Sequence, residues 1–299
     1  MQYTGIVSKE KTKDLIFLHL AVFLFGFSAL FGRFILLSPV VIVFGRTFVA
    51  MIMSLILLKF LKQPIKLKGK HDYFLLCFNG VFFALHWFTF FKSIQVSNIA
   101  IAVLTFSTYP VFVTFLEPYF YKEKIRIFDM VTSFIALFGV FLILPRVELS
   151  DNLTQGALWG LAAGLTCAFL GIASKKGIEK HSALVIPFYQ NLTAAIVAFP
   201  FVLYMKPLLE VRDVLLLILL GSLFTAVSGT LYVKSLSTMK VQFASIVTCL
   251  EPVYAIIFAA ILLDEIPSVR TLIGGTVILG AILLATVKSR HKELILPVN

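Results

Sequence analysis

TYPVFVTFLEPYFYKE (residues 108–123) and LEPVYAIIFAAILLDE (residues 250–265) decide the fold. Each is an apolar run with a proline near its start. Each reaches a glutamate thirteen residues beyond that proline, Pro110 to Glu123 in the first and Pro252 to Glu265 in the second. The offset between the two is 142 residues, and the same offset lays Lys92-Ser93 on Lys234-Ser235. A shift of 145 lays Gly26 on Gly171 and Gly32 on Gly177. Self-similarity of this kind reads as two related halves in a chain of 299 residues.

Working outward, apolar stretches of helical length cover residues 14–32, 39–60, 73–91, 98–121 and 127–144, then 156–174, 182–204, 214–233, 244–263 and 269–287. A crossing takes about 20 apolar residues, so ten crossings and their turns use nearly the whole chain. Composition agrees: 60% of residues are hydrophobic and 14% charged, against roughly 45–50% and 25% in soluble domains. Mean hydropathy is +0.99, which leaves too few polar side chains to coat a water-exposed particle. A β-barrel would alternate apolar and polar residues, whereas these runs are continuous. The expectation is an all-α integral membrane protein of ten transmembrane helices in two inverted five-helix repeats. Five is odd, so the second half enters the membrane upside down, which is the plan of many secondary transporters.

The net charge of +11 does not point to nucleic acid, because the basic residues sit between apolar runs rather than on one polar face. They report topology instead: nineteen fall on one side, six on the other, and Arg46 lies inside a span. The richer side is cytoplasmic by the positive-inside rule. Both termini are therefore expected in the cytoplasm of a bacterial cell, with the chain in the inner membrane and in contact with its lipid. Lys9, Lys11 and Lys13 precede the first run as in a signal peptide, but no small-residue cleavage site follows. The run is read as an uncleaved first helix. Cys77, Cys167 and Cys249 lie within apolar runs without metal-ligand spacing and read as buried hydrophobes, with no metal and no cofactor expected.

The chain resembles the drug/metabolite transporter superfamily, in particular its EamA-type ten-helix members. The resemblance is carried by Arg46 within Phe44-Gly45-Arg46-Thr47-Phe48, by the Tyr-Pro and Leu-Glu-Pro starts of the 108–123 and 250–265 runs, by the Glu123 and Glu265 turns, and by Gly139 and Gly280. It implies residues 1–149 as a first EamA-like five-helix repeat and 150–299 as a second. It further implies export or exchange of small metabolites or amino acids through a cavity between the halves, without ATP.

Several intramembrane residues are candidates for substrate binding. Arg46 costs roughly 2.5–3.5 kcal/mol at the centre of a span, so it needs either a substrate anion or a structural partner. Its repeat equivalent is Asn191, within Tyr189-Gln190-Asn191, which places Tyr189 and Asn191 in the candidate set. Glu251 and its equivalent Tyr109 each precede a proline that can free a carbonyl and kink a helix. That point suits a substrate or proton site, or else a structural hinge. Asn79, Phe83, His86 and Phe90 recur at helical spacing with Trp87 beside them. The stripe is either packing or a pocket wall, and His86 favours the pocket because an imidazole has no partner in lipid. The equivalents of His86 and Trp87 are Ser228 and Gly229, so the halves differ where an asymmetric ligand would sit.

The candidate set is thus Arg46, Asn79, His86, Trp87, Tyr109, Tyr189, Asn191, Ser228 and Glu251. Its expected ligand is small and amphipathic, with protons as the expected coupling ion and the carrier a monomer or homodimer. Glu123 and Glu265 read as structural, each at the start of the following helix. Glu117 reads as half of an interfacial ion pair with Lys122 and Lys124. Gly156, Gly160 and Gly164 read as a close-packing face. Asn152-Leu153-Thr154 is a glycosylation sequon without meaning in a bacterium. No His-Glu-x-x-His, Gly-x-Ser-x-Gly or phosphate-binding Gly-x-x-x-x-Gly-Lys is present, which argues against an intramembrane enzyme and an ATP-driven pump. A passive channel tends to carry a charged or carbonyl-rich filter. The remaining reading is a secondary transporter, with an importer of a larger cofactor-like metabolite as its variant.

Overall fold

The computed structural model describes residues 2–67, 69–121, 125, 127–178, 180–239 and 241–293. Among them every regular element is helical. The first half holds α1 (Gln2–Ser28), α2 (Phe31–Phe34), α3 (Pro39–Phe60), α4 (Lys70–Val96), α5 (Ile99–Phe106), α6 (Tyr109–Tyr121) and α7 (Ile127–Ile143). The second holds α8 (Asn152–Ile178), α9 (Val185–Met205), α10 (Val211–Gly221), a π-helical segment (Ser222–Val227), α11 (Ser228–Ser235), α12 (Val241–Thr248), α13 (Glu251–Leu263) and α14 (Val269–Glu293). Among the described residues, seven stretches are long and apolar enough to cross a membrane, and α7, α13 and the Val269–Ala285 part of α14 are shorter apolar stretches. With α1–α2, α5–α6, α10–α11 and α12–α13 each counted as one crossing, they make the ten spans of two inverted five-helix repeats.

Local chemistry sets where these helices start and stop. Pro39 opens α3 at a position where its missing N–H costs nothing. Asn98 caps α5, its side-chain oxygen accepting from the Ile101 N–H at 2.9 Å. Glu210 and Asp213 form a reciprocal capping box on α10. The fourth and ninth spans break at equivalent points. Helix α6 begins at Tyr109-Pro110 and α13 at Glu251-Pro252, so each expected kink falls at a two-residue turn between helices, Ser107-Thr108 in one and Cys249-Leu250 in the other. Across these turns the backbone stays bonded, Val111 N–H donating to the Thr108 carbonyl at 2.8 Å and Tyr254 N–H to the Leu250 carbonyl at 3.1 Å.

Close packing fixes the scaffold around these breaks. On α8, a methyl group added to Gly156 would collide with the Ser97 side chain, and one added to Gly160 with that of Thr105. Helix α8 therefore lies directly against the end of α4 and along α5, as a small-residue face allows. Gly139 does the same for α7 and α14, where a Cβ would come within 2.6 Å of Ile278 Cγ1. Outward-facing side chains such as Phe138, Phe141, Ile261 and Leu284 are exposed and apolar, the surface a lipid-embedded bundle needs.

One sequence expectation changes at the ends of the bundle. Glu265 does not serve the helix that follows it. Its Oε1 pairs with Arg33 Nε at 2.7 Å, and its Oε2 accepts from the Ile99 N–H at 3.1 Å, capping α5 in the other half. Arg33 Nη2 also donates to the Ser97 carbonyl at 2.7 Å. A lone N-terminal carboxylate gains little, and a three-way contact with a cation and an N–H gains more. Glu123 lies outside the described residues. At the opposite end, Lys175 Nζ donates to the carbonyls of Leu236 at 2.6 Å and Met239 at 3.1 Å. Asp14 Oδ2 accepts from Ser237 at 3.1 Å and Thr238 at 2.8 Å.

Candidate substrate site

Between the halves lies a cavity of about 80 Å³. Its walls come from eight spans: Phe25 of α1, Arg46 of α3, Phe83, His86 and Trp87 of α4, Phe106 and Tyr109 at the fourth-span break, and Cys167 to Ser174 along α8. Gln190 of α9, Phe224 and Thr225 of the π segment, Gly229 and Tyr232 of α11, and Thr248 and Glu251 at the ninth-span break complete it. The lining is mainly apolar and rich in aromatic rings, with a few convergent polar groups.

Arg46 is fully buried. Its guanidinium lies 3.3 Å over the Trp87 ring, and its Nε donates to Thr225 Oγ1 at 3.1 Å. A desolvated cation–π contact contributes about 2 kcal/mol and a hydrogen bond from a charged group about 1.5–3 kcal/mol. Together these offset the cost of an intramembrane cation. The π segment makes this possible, because its wide turn lets Thr225 Oγ1 donate five residues back, to the Leu220 carbonyl at 2.7 Å, while still accepting from Arg46. One edge of the guanidinium is left over: Nη1 is buried and has no partner among the described residues.

Glu251 is the second ionisable group on the wall, also buried. Among the described residues its side chain makes no hydrogen bond, and no ion pair within 4.0 Å joins it to Arg46. His86 is better anchored. Its Nδ1 lies 3.0 Å from the Ala163 carbonyl, which can only accept, so that nitrogen carries the proton and Nε2 is left as an acceptor. The imidazole packs against Trp87 at 4.8 Å and Phe106 at 5.4 Å, and Phe106 stacks on Tyr109 at 5.6 Å. Phe224 closes the side toward Arg33, stacked on Phe27 at 5.1 Å and tilted against Phe31 at 5.2 Å.

Of the nine residues expected from sequence, the structure brings Arg46, His86, Trp87, Tyr109 and Glu251 together on this wall. Asn79 stands one layer behind, its Nδ2 donating to Ser174 Oγ at 3.2 Å. Tyr189 turns away and donates to the Ile65 carbonyl at 3.0 Å. Asn191 bonds the Pro187 carbonyl of its own helix at 2.8 Å, and Ser228 is buried beside the wall. Sequence reasoning did not select Ser174, Gln190, Tyr232 or Thr248. Gln190 Nε2 donates to Ser174 Oγ at 2.9 Å, so both belong to one polar patch. A helical wheel drawn from Arg46 and Glu251 would have found Thr248, one turn before Glu251, but not Gln190.

Residues 12–144 and, separately, residues 154–287 match the EamA-like transporter family. The chain belongs to that family. It lies within the drug/metabolite transporter superfamily and is a multi-pass membrane transporter rather than an enzyme. An uncharacterized transporter of Bacillus subtilis (strain 168) is 25% identical over 97% of this chain and 95% of its own length. One from Archaeoglobus fulgidus is 30% identical, covering 66% of this chain and 70% of the relative. A relative from Rickettsia bellii named as an S-adenosylmethionine uptake transporter is 28% identical over 68% of each chain. A solved crystal structure shares this fold over 94% of this chain and 99% of its own, with a TM-score of 0.70 at 14% identity.

Proposed function

We propose that this transporter moves a small, amphipathic, amino-acid-like metabolite in export or exchange, by alternating access through the cavity between its halves. One arrangement supports the reading: Arg46 Nη1 and the Glu251 carboxylate, of opposite charge type and each without a hydrogen-bond partner among the described residues, stand on the wall of one cavity rich in aromatic rings. A zwitterion answers both. Its carboxylate meets Arg46, its ammonium meets Glu251, and its side chain meets the aromatic wall. A carrier must also release its cargo, which a mostly apolar cavity with few polar contacts permits. Glu251 is the group to take up a proton when the substrate leaves, which makes protons the coupling ion. The halves divide at residues 149 and 150, both termini lie in the cytoplasm of a bacterial cell, and the carrier works in the inner membrane as a monomer or homodimer.

A second reading follows from the relatives named as S-adenosylmethionine uptake transporters. That molecule has an amino-acid end and a sulfonium cation, and aromatic rings with a carboxylate suit such a cation. It would make the chain an importer or exchanger of a larger metabolite.

Flux into proteoliposomes separates the readings. Labelled L-amino acids and S-adenosylmethionine, each offered with and without a proton gradient, are expected to include one that enters saturably and exchanges with the same compound inside. Flux that does not saturate and shows no counter-transport would instead mark a passive channel. Orientation has its own measurement, because a reporter fused after Lys68 is expected to be active only as a cytoplasmic reporter. Activity on the far side of the membrane would reverse the topology.

A further inference from the structure

Gly229 is the second residue of α11 and lines the cavity. Glycine within a helix costs about 1 kcal/mol relative to alanine, so its presence asks for a cause. Backbone geometry does not supply one, since no described glycine has a positive φ. Packing does not supply one either. A Cβ at Gly229 would find nothing within 4 Å, whereas at Gly221, one helix earlier, it would come within 2.6 Å of Val49. What glycine preserves here is open space, and that space belongs to the cavity. The repeat shows what occupies the equivalent place in the other half. An offset of 142 lays Gly229 on Trp87, whose indole fills its side of the wall and carries the Arg46 guanidinium. One side of a pseudo-symmetric cavity is therefore filled and the other is empty.

We propose that Gly229 sets the size of the molecule this transporter accepts. The bulkiest apolar group of the substrate lies over Gly229, against Tyr232 one turn further along α11 and against Phe25, whose ring is 5.9 Å from that of Tyr232. The charged end points to Arg46 and Glu251. This rests on the cavity being the substrate site, and a measurement that needs no substrate keeps the two claims apart.

Cys167 lies on the same wall and is a free thiol. In full-length protein carrying Cys77→Ser and Cys249→Ala it is the sole cysteine. Its modification is followed with methyl methanethiosulfonate and with a naphthyl-bearing methanethiosulfonate. Gly229→Leu and Gly229→Trp are expected to slow the naphthyl reagent about tenfold while changing the methyl reagent little, the scale on which apolar pockets discriminate size. Gly229→Ala is expected to leave both rates near the parent. So is Gly280→Leu, at a glycine equally free of neighbours but off the cavity wall.

In proteoliposomes, Gly229→Leu is expected to shift the ratio of L-alanine to L-phenylalanine uptake about tenfold toward alanine. If Gly229→Ala alone slows both reagents equally, the glycine is a hinge beside the π segment and the size proposal falls. It falls also if Gly229→Leu leaves the naphthyl rate unchanged. If the parent moves neither amino acid, the amino-acid reading fails while the thiol rates still decide the role of Gly229.

Discussion

Arg46→Ala and Glu251→Gln are expected to reach the membrane folded and to transport about a hundredfold more slowly, the scale of removing one charge-assisted hydrogen bond of about 3 kcal/mol. Folding is expected to survive because neither side chain is the sole partner of a group left behind. Without Arg46, Thr225 still donates to the Leu220 carbonyl, and the Phe224 carbonyl gives up only a long hydrogen bond of 3.5 Å. The desolvation cost of the guanidinium also disappears with it. Glu251→Gln keeps shape and volume and removes only the charge. Arg46→Lys divides anchoring from binding. An ammonium can hold the Thr225 hydroxyl or reach into the cavity but cannot do both as a planar fork does, so an intermediate loss of about tenfold is expected. Flux per inserted molecule in proteoliposomes, with gel-filtration profiles alongside, is the measurement. Stable variants that transport at the unmutated rate would make both residues structural.

The spans were legible because a membrane crossing leaves few alternatives to a continuous apolar run. The breaks at Tyr109 and Glu251 were legible because proline removes an N–H and disturbs the turn before it. Two kinds of information were not in the local pattern. The first is rotation about each helix axis. Tyr189, Gln190 and Asn191 are adjacent in sequence yet point about 100° apart, and Gln190 alone of the three reached the cavity. The second is the distant partner. Nothing around Arg46 names Trp87 as its support, and nothing around Glu265 names Ile99 and Arg33. The π segment is silent as well, since Ser-Leu-Phe-Thr-Ala-Val reads as ordinary span until Thr225 is seen bonding five residues back.

Those distant partners lead to the second large effect expected, at Glu265. Two sets of polar interactions tie the halves together, one at each end of the bundle, and the repeat relates part of one to part of the other. Arg33 on the Ser97 carbonyl and Lys175 on the Met239 carbonyl differ by the same 142 residues at both donor and acceptor. Across the halves, Glu265 joins Arg33 and Ile99 at one end, and Asp14 joins Ser237 and Thr238 at the other. A carrier that opens to each side in turn must break one set while keeping the other. Removing one set should then bias the resting state toward opening at that end.

Glu265→Ala removes a partly exposed ion pair worth up to about 1 kcal/mol and a helix cap worth about 1 kcal/mol. About 2 kcal/mol is a shift of roughly thirtyfold in population. Labelling of Cys167 by a membrane-impermeant thiol reagent added on the Arg33 side is expected to rise accordingly, and Asp14→Ala is expected to raise it from the Lys175 side instead. Glu265→Gln keeps an oxygen for the Ile99 N–H and should fall between. Arg33→Glu combined with Glu265→Arg restores the charge pair without the cap and should return part of the way. Glu265→Ala that leaves labelling from both sides unchanged would mean that these interactions brace the bundle and do not gate it.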